Sequence, residues 1–180
     1  MRAMKKILVI GAGGAGKTTF ARQLGEILGI EVVHLDALYW RPGWIEPPKE
    51  EWATRVDGLL ERDGWIIDGN YSGTLARRLE ACDTVVFLDL PRSVCLWRVI
   101  KRLVMYRNTT RPDMADDCPE HLNLEFLMWI WNYPKRTRPS TVKLLGEERN
   151  ARKAIWLRTP AQTDLFLANA RDVRECAAQL

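Results

Sequence analysis

The chain has 180 residues, 47% hydrophobic and 28% charged, which is enough apolar material for one core and too little for a second independent domain. A net charge of +4 carries 19 arginines against 8 lysines, an excess of planar forks that points to an anionic ligand without separating a nucleotide from a nucleic acid. Cys82, Cys95, Cys118 and Cys176 show no CxxC spacing, so reduced thiols, and with them a soluble cytoplasmic protein, are the expectation. The apolar run behind "MRAMKK" stops at Ile10, too short for a signal peptide, and "FLMWIW" (126–131) falls far below the roughly 20 residues of a membrane span.

In chain order, "KILVI" (6–10), "EVVHL" (31–35), "WIID" (65–68), "TVVFLD" (84–89) and "KAIWLR" (153–158) read as strands separated by helical segments. Phe20, Leu24, Ile27 and Leu28 share one helical face behind the first strand, and Gly29 supplies the stop. This alternation predicts a single α/β domain with a parallel sheet and helices on both faces. Two segments interrupt it. "LYWRPGWIEPPKEEW" (38–52), with three Trp and three Pro, cannot be regular helix throughout and reads as an excursion over the strand ends. The stretch 90–112 carries six cations and no acid, and an acid-free stretch from 126 to 146 carries Lys135, Arg136, Arg138 and Lys143.

The turn after the first strand, "GAGGAGKT", satisfies two fingerprints. From Gly11 to Gly16 it is GxGxxG, and Asp36, twenty residues beyond Gly16, stands where an acid would hold the ribose of NAD(P) in an oxidoreductase. From Gly11 to Thr18 it is GxxxxGKT, a triphosphate loop. Only the second gives Lys17 and Thr18 a task, a cation on the β and γ oxygens and a hydroxyl on Mg²⁺. Glycines at 11, 13, 14 and 16 allow backbone N–H groups to converge on phosphate at a helix N-terminus. The expected cofactors are therefore ATP or GTP with Mg²⁺.

Acceptor-side groups should lie at the C-terminal ends of the other strands. Asp36 in "HLDALYW" and Asp68 in "WIIDGNY" stand there, each able to position Mg²⁺ through water or to accept the proton of an attacking hydroxyl; the bland alternative is a cap or turn residue. Asp68 resembles a Walker B acid, while Asp89 reads as structural. Arg98, Lys101 and Arg102 form one basic helical face, and Arg107 and Arg111 follow in a loop. Such cations suit a closing lid at about 103–123 that stabilises charge on a transferring phosphoryl group. Tyr39, Trp40, Trp44 and Trp52 either stack on an aromatic acceptor or merely bury the excursion. His34 and His121 read as structural, Ser72 and Thr74 as helix caps, and Leu124, Leu127, Met128 and Trp131 as a packed helical face.

The succession of the glycine-rich loop, "HLDALYW", "WIIDGNY", "VVFLDLPR", the arginine-rich helix and loop with "TRPD", and "WIWNYPKRTRP" resembles the bacterial DNA topology modulation proteins, relatives of adenylate kinase. The resemblance runs from Ile7 to beyond Arg158. It implies a P-loop fold of the nucleoside-monophosphate-kinase type, a five-stranded parallel sheet in the order 2-3-1-4-5. It also implies that Gly11, Gly13, Gly14, Ala15, Gly16, Lys17, Thr18 and Thr19 hold the triphosphate, that Asp36 and Asp68 face Mg²⁺ or acceptor, and that Arg98, Arg102, Arg107, Arg111, Arg136 and Arg138 are lid cations. Adenylate kinases carry a Pro-Arg pair shortly after the third-strand acid; this chain reads "DGNYSGTLARR", where Arg77 and Arg78 are the candidates to substitute.

The expected function is a Mg²⁺-dependent kinase passing the γ-phosphoryl of ATP to a small acceptor. A nucleotide-switched regulatory or DNA-associated ATPase is the alternative, weakened because the cations cluster where a lid is expected and no helix-turn-helix or single-strand-binding signature appears.

Overall fold

The computed structural model describes residues 4–107, 109–110 and 114–178, with side chains described as far as 175. The uninterrupted apolar run Ile7–Ile10 makes β1 (Lys6–Gly11) a strand that is buried on both faces, as the centre of a parallel sheet requires. Around it lie β2 (Val32–His34), β3 (Trp65–Asp68), β4 (Thr84–Leu88) and β5 (Ala154–Leu157), all parallel, in the order β2-β3-β1-β4-β5. This is the expected order. It also removes the dinucleotide reading, because β3 lies between β1 and β2 and Asp36 does not follow a strand paired with the loop-bearing one.

Alternate residues of β1 point into two separate cores. Ile7 and Val9 pack with Phe20 and Leu24 of α1 (Lys17–Leu28), Cys95 and Val99 of α5 (Arg92–Met105) and Ile130 of α6 (Leu124–Arg136). Leu8 and Ile10 pack with Val56 and Leu59 of α3 (Lys49–Leu60) and Leu75 and Leu79 of α4 (Ser72–Ala81). Gly29, at φ 69°, ends α1 in the left-handed conformation as its position implied. The chain continues from α6 through α7 (Arg138–Gly146), α8 (Glu148–Ala151) and β5 to α9 (Pro160–Ala178). Among the described residues no helix is long and apolar enough to cross a membrane.

The excursion is ordered at both ends. α2 (Leu35–Tyr39) follows β2 directly, so Asp36 lies in the first turn of a helix and not at the end of a strand. A turn bridging Arg41 and Ile45 comes next, with Gly43 and Trp44 at positive φ, and α3 begins after Pro47 and Pro48. The turn is fastened to the segment between α5 and α6: Gly43 N–H donates to the Asp117 carbonyl at 3.0 Å and Trp44 Nε1 to the Pro119 carbonyl at 3.3 Å.

Two sequence expectations fail here. In α6 only Leu127 of the expected face packs against the core, beside Phe126 and the buried Ile130 and Tyr133, leaving Leu124 67%, Met128 57% and Trp131 47% exposed; a helix this rich in apolar residues offers two competing stripes. At α4, Ser72 is the first helical residue and the cap position is Tyr71, whose φ of 32° lets its carbonyl accept from Thr74 N–H at 3.1 Å.

Candidate active site

The loop between β1 and α1 is shaped by close contacts. A Cβ at Gly14, which sits at φ 77°, would come within 2.3 Å of the Cys95 carbonyl oxygen. Gly16, at φ 90°, is the N-cap of α1 and places no side chain over the first-turn N–H groups, which are left open to an anion. Lys17 Nζ donates to the carbonyls of Gly11 and Ala12, both at 3.0 Å. Burial lowers the Lys17 pKa below that of an ordinary lysine, and the charges of Asp36 and Asp68 act in the opposite direction. Both carboxylates therefore share the environment of the loop lysine. Thr18 is half-buried in the first turn of α1, and Thr19 is exposed.

Parallel register brings the third-strand end to the loop. Val9 pairs with Asp68, so the chain leaving β3 runs alongside Gly11. Asn70 Nδ2 donates to the Gly11 carbonyl at 2.7 Å while its Oδ1 accepts from Gly11 N–H at 3.1 Å. His34 is in register with Asp68, and its Nδ1–H donates to Asp68 Oδ1 at 2.9 Å; the ionised carboxylate can only accept, which sets the tautomer. Asp68 is 4% exposed. Asp36 Oδ1 accepts from the Tyr71 hydroxyl at 2.7 Å; burial, then the Asp36 charge, drives that phenol's pKa far upward, so it stays a donor.

Arg78 holds this turn together. It is fully buried and donates to Thr74 Oγ1 and to the carbonyls of Gly69, Asn70 and Tyr71. Burial lowers its pKa to about 10, which leaves it charged at neutral pH. The expectation that Arg77 or Arg78 could bind a monophosphate is corrected on both counts: Arg78 is consumed by backbone carbonyls, and Arg77 pairs at the surface with Asp57 at 2.6 Å. His34, Asn70 and Tyr71 were not singled out for the site. "GNY" placed directly after the strand-end acid Asp68 was the available signal.

The arginines separate into groups. Arg98 Nη1 donates to the Ala15 carbonyl at 2.9 Å, against the loop itself. Arg102 pairs with the buried Glu120 at 3.1 Å and lies close enough to Lys17 for its charge to act there. Arg107 is exposed, its backbone bridging Glu120, and Arg136 is exposed at the end of α6. Arg138 departs from the lid expectation: its Nε and Nη2 grip both oxygens of Asp89 at 2.8 and 2.7 Å, a bidentate pair that also gives Asp89 its structural role. Arg111 lies outside the described residues.

The excursion's rings form a continuous row. Tyr71 lies 4.5 Å from Tyr39 and 5.1 Å from Trp52; Tyr39 lies 5.1 Å from Trp40; Trp40 lies 5.3 Å from Trp44; Trp44 lies 5.8 Å from His121 (ring centroids). The row runs from the carboxylate of Asp36 to His121, between α5 and α6. Only Trp52 is fully committed to the core, at 6% exposure.

No protein-family model matches the chain. It is 34% identical over 134 residues, 66% of this chain and 72% of the relative, to a shikimate kinase of Halorhodospira halophila (strain DSM 244 / SL1). Among solved structures, the shikimate kinase from Acinetobacter baumannii in complex with shikimate superposes with a TM-score of 0.58 at 20% identity, covering 98% of this chain and 94% of that one. A gluconokinase from Sinorhizobium meliloti 1021 superposes with a TM-score of 0.54 at 16% identity, covering 99% and 96%. At those identities the structures attest the fold alone. The sequence relative does more, and with the triphosphate loop, the strand order and the placement of Lys17 it shows that the chain belongs to the shikimate kinase-like P-loop kinases and is a nucleotide-binding phosphotransferase.

Proposed function

We propose that the chain is a single kinase domain that transfers the γ-phosphoryl of ATP to a hydroxyl of a small molecule held between the excursion at 38–52 and the lid at 103–123. The observation that carries this reading is the convergence of the two acids Asp36 and Asp68 on the loop lysine, with the lid tied across to the excursion. Resemblance to the DNA topology modulation proteins gives the narrower placement and fits the same chemistry.

Gly11 to Thr19 cradle the phosphates. Lys17 leaves the carbonyls of Gly11 and Ala12 for the β and γ oxygens, an exchange of neutral acceptors for charged ones that strengthens each hydrogen bond. The residues fit Mg²⁺ carried in with the phosphates: the Thr18 hydroxyl and the Asp68 carboxylate would hold it, and among the described residues no group of three His, Cys, Asp or Glu forms a cage of its own. The ion supplies neutralisation of phosphate charge. The acceptor oxygen bonds to the γ-phosphorus as the bond from that phosphorus to the β–γ bridging oxygen breaks. The hydroxyl proton passes to Asp36, whose other oxygen is held by Tyr71, and ADP leaves with a phosphate monoester as co-product. Arg98 and Arg102, with Arg107 beyond the end of α5, supply cations for charge on the transferring group, a well-placed arginine being worth about 10³ to 10⁵ in rate.

Incubation with γ-labelled ATP and a metabolite panel tests the proposal, with Lys17→Ala as the inactive control. Label appearing in water alone, at a rate no acceptor changes, overturns it. A DNA-bound ATPase would show binding that collapses about 10³-fold between 50 and 200 mM salt.

A further inference from the structure

The acceptor wall differs in charge from the rest of the molecule. Residues 31–80 hold ten acids and six lysines and arginines, although the whole chain is +4. Every arginine in that segment is engaged. Arg41 lies on both oxygens of Glu51 at 2.7 and 2.6 Å, Arg55 on the Leu38 carbonyl at 2.7 Å, Arg62 on Glu31 at 2.9 Å, Arg77 on Asp57, and Arg78 on buried carbonyls. The remaining cation, Lys49, is exposed at the start of α3. A carboxylate substrate calls for an arginine fork, and every fork in this wall already holds a carbonyl or a carboxylate.

What it offers is aromatic and acidic. Tyr39 and Trp40 meet at 89°, Trp40 and Trp44 at 69°, Tyr39 and Trp52 at 83°. Parallel faces would sandwich a flat base; rings meeting near right angles make corners, which suit the rounded, positively charged end of an ammonium through its attraction to ring faces. Two carboxylates stand at one end of the row, Asp36 at the Tyr71 hydroxyl and Glu46 beside the hydroxyl of the next ring, Tyr39. The lid cations lie on the other side, at the phosphate loop, with Arg98 on the Ala15 carbonyl and Arg102 near Lys17.

We infer that the acceptor is a hydroxyl-bearing organic cation, amino alcohol to amino sugar in size, with its ammonium end against Tyr39, Trp40 and Trp44 and its reacting hydroxyl at Asp36. The inference rests on the kinase reading above and narrows it. The hydroxyl oxygen gains the γ-phosphoryl group, its proton goes to Asp36, and the ammonium takes no part in bond making.

The experiment uses the full chain, γ-labelled ATP with Mg²⁺, and glucosamine, glucose and gluconate as a series of similar size and differing charge, with choline and shikimate as a second cation–anion pair. The expected result is transfer to the cations with kcat/KM at least ten-fold above the neutral and anionic members. Trp40→Ala should abolish that preference, Trp40→Phe should retain it, and Glu46→Gln, at an exposed position, should weaken it several-fold. Transfer that favours glucose, gluconate or shikimate, or that ignores charge, overturns the inference and leaves the kinase intact. Label passing to water alone with every compound overturns the kinase reading and the inference together.

Discussion

Replacing Arg78 by Met probes the least expected support of the site. The guanidinium donates to three consecutive backbone carbonyls, Gly69, Asn70 and Tyr71, and to Thr74, inside a fully buried environment. Methionine fills most of the volume but leaves those carbonyls without partners where water cannot replace them. Each orphaned acceptor costs about 1–3 kcal/mol, and breaking a buried charged network costs about 3–5 kcal/mol in all. For a chain of this length about 1 kcal/mol moves Tm by about 2–4 °C, so a fall of roughly 6–20 °C is expected by differential scanning calorimetry. Arg78→Lys keeps the charge and three donors but lacks the planar fork, and should recover less than half of the loss. Because the same turn carries Tyr71 and Asn70, catalytic efficiency toward the acceptor should fall further than stability alone explains. An Arg78→Met protein melting within about 2 °C of the parent would refute the argument that this turn is held by buried charge.

Four further outcomes follow from the same geometry. Lys17 has its pKa lowered by burial, so its proton is lost at lower pH than for an exposed lysine; ATP affinity, which needs the ammonium, should fall as pH rises through that lowered pKa and should already be weakened below pH 10.5, measured by isothermal titration across alkaline buffers. Tyr71→Phe removes the 2.7 Å donor to Asp36 and should lower kcat about ten-fold, near 1.4 kcal/mol, while ATP binding changes less than two-fold. Asn70→Ala unties both hydrogen bonds to Gly11 and should cost about 1–3 kcal/mol of stability with weakened ATP binding, read by thermal shift with and without nucleotide. Met128→Lys, on the exposed stripe of α6, should leave stability within about 0.5 kcal/mol of the parent.

Local chemistry made the strands and the loop legible. β-branched runs bounded by glycine and proline marked five strands, and the one-residue spacing of Gly16, Lys17 and Thr18 separated a triphosphate loop from a dinucleotide turn, because each of those residues has its own contact to make with phosphate. The aromatic row was visible as composition and invisible as geometry. A list of Trp and Tyr between positions 38 and 52 does not say which ring lies beside which: Trp40 meets Trp44 across the turn with Gly43 and Trp44 at positive φ, and Tyr39 meets Trp52 across the start of α3.

The sequence by itself determined the donor side of this protein, since a phosphate loop is built from neighbours in the chain whose conformational needs are local. Only the tertiary structure decided which distant groups are already spent. Arg78 and Arg138 look like any other arginine in sequence, yet one is buried on carbonyls and the other clamped to Asp89 forty-nine positions away. His34 and Asp68 meet because two parallel strands share a register, and Asn70 reaches Gly11 because β3 lies next to β1. Partnership across a sheet is set by strand order and register, quantities that belong to the folded chain as a whole and leave no mark on any single stretch of it.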